Sequence, residues 1–382
     1  MKTDKLAVMY GAGSIGRGFI GQLFNMSGYR TCFIDVDEKL VNDLSKENKY
    51  TIRIAEPTGF RSMVIDNVTA VNGLDAKAVT DVVSKCDVMA TAVGVNILPR
   101  IAVNIASGLD ERCGVSGNAL DIFVCENISD GGLYLKDLVL EYSANREYIE
   151  RDVGFVSASV GRMVPVSETT GIVVESYNEL PVDKDALKTD VSDIYNIIPV
   201  SPFAMEKYKK YFMHNMSHAV VAYLGFVKGY EYIWQAVADK YIRDIAEQAL
   251  GESIDAISVY FNIPDSGLRK YAEDLIERYG NKYLADTVLR VGRDPVRKLG
   301  KDDRLAGAVS FCLKNGVNPE YILYGLAAAM YFDPQDDVSA PLLAGTVGEY
   351  GVSAALARFS EIHEGSDISK RVIEIYKMLS SA

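Results

Sequence analysis

A short apolar run, Leu6-Ala7-Val8-Met9-Tyr10, predicts a buried strand, and Phe19, Ile20, Leu23 and Phe24 follow it at helical spacing. A second apolar run from Thr31 to Ile34 ends at Asp35. Further strands are expected over residues 88–93 and 119–125, with helices over 97–105 and 133–142. Such alternation predicts parallel strands joined by right-handed crossovers, with ligands at the carboxyl edge of the sheet. Thr91, Ala92, Val93, Gly94, Glu126 and Asn127 fall at that edge, Val93 among the expected cofactor contacts.

From about residue 154 the pattern changes. Residues 155–160 and 171–177 are rich in β-branched side chains and predict strands added to the first domain. Pro181, Pro199 and Pro202 then punctuate the chain, and beyond about 200 the periodicity is helical: 205–224, 233–250, 254–261, 268–279, 305–315, 319–330, 352–362 and 368–379. The expected fold class is α/β. An N-terminal Rossmann-type, doubly wound domain with added strands (1–198) precedes an all-α C-terminal domain (199–382). No internal repeat or low-complexity tract interrupts it.

The first strand runs directly into Gly11-Ala12-Gly13-Ser14-Ile15-Gly16, and Asp35 lies nineteen residues beyond Gly16. A lone GxGxxG is a weak signal, but here a strand precedes it, a helix follows it, and a second strand ends in an acidic residue. Glycines permit a tight turn and close approach to a pyrophosphate, helix amides receive the phosphate, and the carboxylate bonds the adenosine ribose. The bland alternative is a glycine-rich turn of some other α/β protein. Asp35 would repel a 2′-phosphate and neither Val36 nor Asp37 offers a compensating cation, so NAD is expected over NADP. Arg30 weakens that inference if it folds over the adenosine pocket.

Composition narrows the class. With 382 residues, 48% hydrophobic and 24% charged, the chain can bury a substantial core. Its apolar stretches fall far short of a membrane span and residues 1–5 show no cleavable signal pattern, so a cytoplasmic location is expected. A net charge of −12 argues against nucleic-acid or anionic-membrane partners. The five cysteines include no CxxC pair and read as small buried hydrophobes, and His214 and His218 have no partner at recognisable metal-ligand spacing. No metal is expected.

Candidate chemistry lies in the run from Glu206 to His218, which carries Lys210, Asn215 and His218. At about 100° per residue, Lys210 and His218 lie about 80° apart and Asn215 about 60° beyond His218, so all three can face one cleft. Alcohol oxidation needs a group to accept the hydroxyl proton as hydride leaves, and a partly desolvated lysine can serve. A carboxamide can stabilise the developing alkoxide without competing for the proton. The run therefore offers an acid/base, an oxyanion donor and a hydroxyl ligand. Alternatively, Lys207, Lys209 and Lys210 form a solvated face and Asn215 is a buried amide satisfied by backbone. His214 shares the face, and spacing does not rank it against His218.

Against the acidic background, Arg293, Arg297 and Lys298 form a basic cluster suited to a phosphorylated substrate. Their alternative role is to bind the carboxylates of Asp286, Asp294, Asp302 or Asp303.

Taken together, Tyr10 through Gly21, Cys125-Glu126-Asn127, Val153 through Val156, the Lys210/Asn215/His218 run into Tyr223-Leu224-Gly225, and Arg290 through Leu305 resemble the polyol-specific long-chain dehydrogenases over nearly the whole chain. The resemblance implies metal-independent, NAD-dependent interconversion of D-mannitol 1-phosphate and D-fructose 6-phosphate. It makes Lys210 the general acid/base, pairs Asn127 with Asn215 as oxyanion donors, places His218 rather than His214 at the substrate, and makes Arg293 the foremost phosphate contact. One departure stands out: members commonly carry Asp before Arg where this chain has Gly161-Arg162. A missing carboxylate there bears on the proton relay and on substrate choice. The alternatives are an NAD-dependent polyol or hexuronate dehydrogenase acting on an unphosphorylated substrate, and a non-catalytic NAD-binding module. Oligomeric state is not legible.

Overall fold

Eleven strands and a series of helices make up the computed structural model, which describes residues 5–165 and 172–380. The strands are β1 (Leu6–Tyr10), β2 (Arg30–Asp35), β3 (Lys49–Glu56), β4 (Gly59–Asp66), β5 (Val68–Asn72), β6 (Val88–Thr91), β7 (Leu120–Val124), β8 (Val153–Ser157), β9 (Ile172–Glu175), β10 (Leu180–Asp183) and β11 (Ile197–Val200). The chain divides into two compact units, Met1–Glu206 and Lys207–Ala382. The proline-based reading puts the boundary at 198/199, inside β11.

In the first unit six parallel strands form a sheet in the order β5-β2-β1-β6-β7-β8. Both faces are covered, which is why its strands read as continuous apolar runs. Ala7, Met9, Phe33, Ala90 and Phe123 enter the core on one face, and Val8, Tyr10, Ile34, Met89 and Ile122 the core on the other. Strand order reverses between β1 and β6, the switch point outside whose carboxyl ends such sheets bind ligands.

The expected strand over 155–160 begins earlier and ends at Ser157, and Gly171 of the second expected strand lies outside the described residues. The second of these, β9, joins β3 and β4 in a separate three-stranded sheet, while β10 and β11 pair in parallel.

The second unit is built on helices around Met216–Val227, whose residues Met216 through Gly225 are all buried. A helix apolar on every side belongs in a core. The helices expected over 233–250 and 254–261 are instead Ile233–Ala238 and one 22-residue helix, Lys240–Phe261. Asp239 ends the first and starts the second, its carboxylate accepting the amides of Tyr241 and Ile242. Among the described residues no helix is long and apolar enough to cross a membrane.

Candidate active site

The glycine turn is held by its own packing. Gly11 has φ of +99°, and a Cβ there would lie 2.5 Å from the carbonyl oxygen of Ala92, while one at Gly16 would lie 1.9 Å from that of Gly11. At Gly13 a Cβ would meet nothing within 4 Å. The protein's own packing therefore does not demand glycine at 13, and the open space leaves room for a ligand to approach the backbone there. Ser14 and Ile15 begin the following helix, which winds as a π-helix over Gly16–Ile20 before continuing as Gly21–Met26.

Asp35 ends β2 beside this turn. One carboxylate oxygen accepts the amide of Ala12 at 2.7 Å and the other that of Asp37 at 3.1 Å. Each oxygen keeps acceptor capacity for a ribose hydroxyl. Arg30 stands at the opposite end of β2, about 16 Å along the strand, and so does not cover that position. The nearby cation is one the sequence reading passed over: Arg17 donates through Nε to the Ala12 carbonyl at 2.5 Å and is drawn electrostatically to Asp35 and Asp37.

At the ends of β6 and β7 Glu126 is the organising residue. It is buried, accepts the Thr91 hydroxyl at 2.7 Å and the Val93 amide at 2.9 Å, and so fixes the loop that carries Val93. Burial pushes its carboxyl up while these hydrogen bonds pull it down. Asn127 follows it, exposed at the carboxyl end of β7.

Gly161 is buried, and a Cβ on it would lie 3.3 Å from the ring of Tyr177. Arg162 directs its guanidinium to the carbonyls of Glu175 and Gly18 and to Oε1 of Gln22. That arginine thus fastens the strand β9 to the helix behind the glycine turn without an acid at 161.

In the second unit, the expected continuous α-helix over 205–224 is three segments: α-helix Ala204–Tyr208, π-helix Lys209–Asn215 and α-helix Met216–Val227. The 100° reckoning fails here, because i→i+5 bonding widens each turn. Such turns recur at functional sites, and this one carries both Lys210 and Asn215. Lys210 is partly buried; Asn215 and His218 are 8% and 7% exposed. The ammonium of Lys209 lies 4.8 Å from the centre of the Tyr271 ring.

The two histidines differ in surroundings. His214 is buried with Nδ1 unpartnered among the described residues, and burial, aided by Lys210 and Arg278, holds its pKa well below the usual imidazole value. His218 stacks on Tyr279 at 4.6 Å and 11°, and its Nε2 lies 3.4 Å from Oδ2 of Asp286. Burial lowers the His218 pKa as well, with Asp286 opposing. Tyr279 also donates its hydroxyl to the His214 carbonyl at 2.9 Å, against the π-helical segment.

The basic cluster is not three free cations. Arg297 meets Asp294 at 2.9 Å and Asp303 at 3.1 Å. Lys298 is 4% exposed, and its Nζ donates to the carbonyls of Val291 and Arg293; burial brings its pKa to about 6. A side chain so placed serves the backbone, contrary to the expected phosphate contact. Arg293 is exposed, and no ion pair of its side chain occurs among the described residues. Arg290, expected only as part of a motif, binds Asp286 through two hydrogen bonds of 2.5 and 2.6 Å. Among the described residues, no group of three or more His, Cys, Asp or Glu is placed to hold a metal ion.

Two family models match in tandem: the mannitol dehydrogenase Rossmann domain over residues 5–195 and the mannitol dehydrogenase C-terminal domain over residues 200–379. A mannitol-1-phosphate 5-dehydrogenase of Brevibacillus brevis is 34% identical over 374 residues, covering 97% of each chain. One of Oceanobacillus iheyensis is 35% identical, covering 99% of each. Among solved structures, a D-sorbitol dehydrogenase in substrate-free form superposes with a TM-score of 0.81 at 16% identity, covering 100% of this chain and 93% of the other. A Pseudomonas fluorescens mannitol 2-dehydrogenase in ternary complex with NAD and D-mannitol gives 0.72 at 16%, covering 99% and 92%. At that identity these two show the shared fold. With both models matched in order and relatives aligned end to end, the chain belongs to the mannitol dehydrogenase family.

Proposed function

We propose that the chain is an NAD-dependent oxidoreductase interconverting D-mannitol 1-phosphate and D-fructose 6-phosphate, with Lys210 as general acid/base. The observation that carries this reading is end-to-end similarity to relatives named mannitol-1-phosphate 5-dehydrogenase. A dinucleotide fits the first unit: Gly13 leaves room for close approach, helix amides follow it, and Asp35 retains acceptor capacity. A bound NAD would supply the acceptor for the hydride that leaves the carbinol carbon.

This chain's residues handle the proton and the charge. In oxidation the Lys210 amine takes the hydroxyl proton, and in reduction its ammonium returns one to the carbonyl oxygen. Asn215 donates a hydrogen bond to that oxygen as negative charge develops on it, and the family resemblance gives Asn127 the same role. His218 engages a neighbouring hydroxyl, and Arg293 receives the phosphate. A cytoplasmic location accords with a substrate and cofactor held inside the cell.

A second reading, a related polyol or hexuronate dehydrogenase on an unphosphorylated substrate, is favoured by Gly161 and by the engagement of Arg297 and Lys298 within the protein. Steady-state oxidation of NADH with fructose 6-phosphate, fructose and fructuronate separates the two. The first reading expects kcat/KM for the phosphate ester to exceed the others by at least tenfold, the scale of one charged hydrogen bond. Equal turnover of fructose and its phosphate would defeat it.

A further inference from the structure

His218 and Asp286 are sixty-eight residues apart in sequence and face one another across the second unit. Asp286 is 4% exposed and held from several directions. Its main-chain carbonyl accepts the amide of Ile233 at 2.9 Å. Next to it, Thr287 caps the helix Val288–Gly292, its hydroxyl accepting the Arg290 amide. Arg290 then grips both carboxylate oxygens, so the carboxylate cannot swing away and its negative charge is partly neutralised.

The other wall is Tyr279, whose ring lies flat against the imidazole and blocks its rotation. Nε2 of His218 is buried and has no hydrogen-bond partner among the described residues, so the carboxylate oxygen 3.4 Å away sets its electrostatic environment. A lone pair directed at an anionic oxygen is repelled, whereas an N–H there is attracted. The other charged or titratable neighbours of the ring are Lys210 and His214 on its own helical run and Arg290 beyond the carboxylate. The two cations oppose a second proton on the ring.

We infer that Asp286 is a positioning residue that fixes His218 as the neutral Nε2–H tautomer, leaving Nδ1 as a hydrogen-bond acceptor for a substrate hydroxyl. Reading that hydroxyl as substrate rests on the proposed function; the tautomer does not. An acceptor at this position selects a carbinol over a carbonyl or ether oxygen, because only the former offers a proton.

The chain has three histidines, His214, His218 and His363, so the full-length protein labelled with 15N-histidine gives a spectrum in which His218→Gln assigns the resonance. His218 is expected to show a protonated Nε2 and an unprotonated Nδ1 at pH 7. In Asp286→Asn that preference should be lost, with kcat/KM for the polyol reduced about ten- to hundredfold and NADH affinity unchanged. A protonated Nδ1 or an imidazolium in the unaltered protein overturns the inference without need of any folded variant. So does an Asp286→Asn protein in which either the tautomer or kcat/KM stays as it was. Lys210→Ala distinguishes the two levels: turnover surviving that change removes the acid/base reading while the 15N result stands.

Discussion

Asp35 holds Ala12: the carboxylate at the end of the second strand accepts the amide in the middle of the glycine turn at 2.7 Å. The residue expected to bind ribose therefore also shapes the loop expected to bind pyrophosphate. Replacing Asp35 by Ser should weaken NADH binding by about 1.5 to 3 kcal/mol, roughly ten- to hundredfold, the usual scale for a lost charged hydrogen bond. It should also narrow the preference over NADPH, because Arg17 remains nearby to attract a 2′-phosphate. Fluorescence titration with both cofactors measures this, and an unchanged NADH affinity would remove Asp35 from the site.

Lys210→Ala should leave NADH affinity within about twofold while turnover falls by two to four powers of ten, the scale of a general acid/base. Because Lys210 is among the cations depressing His214, the same substitution should raise the His214 pKa, and a 15N titration reads the shift directly. Near-normal turnover would require a different proton carrier.

Arg293 and Arg297 should separate. Arg293→Ala should raise KM for the phosphorylated substrate by about 1.5 to 3 kcal/mol equivalent. Arg297→Ala should have a smaller effect on KM, since its charge is shared with Asp294 and Asp303. Equal and negligible changes would leave the phosphate without a receptor in this cluster.

Outside the site, Glu252 accepts the amides of Tyr321 and Ile322 at the start of the helix Ile322–Ala329. Burial nonetheless pushes its carboxyl up to about 7. A folded pKa above the unfolded value means a contribution to stability that is complete below about 4.5 and lost as pH rises through about 7. Because Gln resembles the protonated acid, melting temperatures of the unaltered protein and Glu252→Gln should run closest at pH 5 and part towards pH 8, where the unaltered protein loses stability and the variant shows the flatter profile. Parallel profiles would rule out this group as the source.

The sheet of the first unit was legible because burial on both faces writes strands as unbroken apolar runs, as in β1, β2, β6 and β7. The strand β5, Val-Thr-Ala-Val-Asn, and the hairpin of β3 and β4 escaped notice because they are largely half-buried or exposed and carry no such run. Lys210, Asn215 and His218 were identifiable as a group, but their mutual geometry was not, since angular reckoning assumes α-winding. Burial of every residue from Met213 to His218 is a pattern no single α-helical face produces, and it becomes visible only once the fold is known. Arg17 could have been marked as a cation one position past Gly16. Asp286 as the partner of His218 could not, for a contact across sixty-eight residues leaves no local trace.

The Tyr177 ring beside Gly161 makes the two positions interdependent. An acidic side chain placed at 161 meets that phenol ring at its first carbon, so the ring has to give by a few tenths of an ångström to admit it. Trimming 177 to a smaller residue first opens the space. A change at 161 is therefore tested together with one at 177.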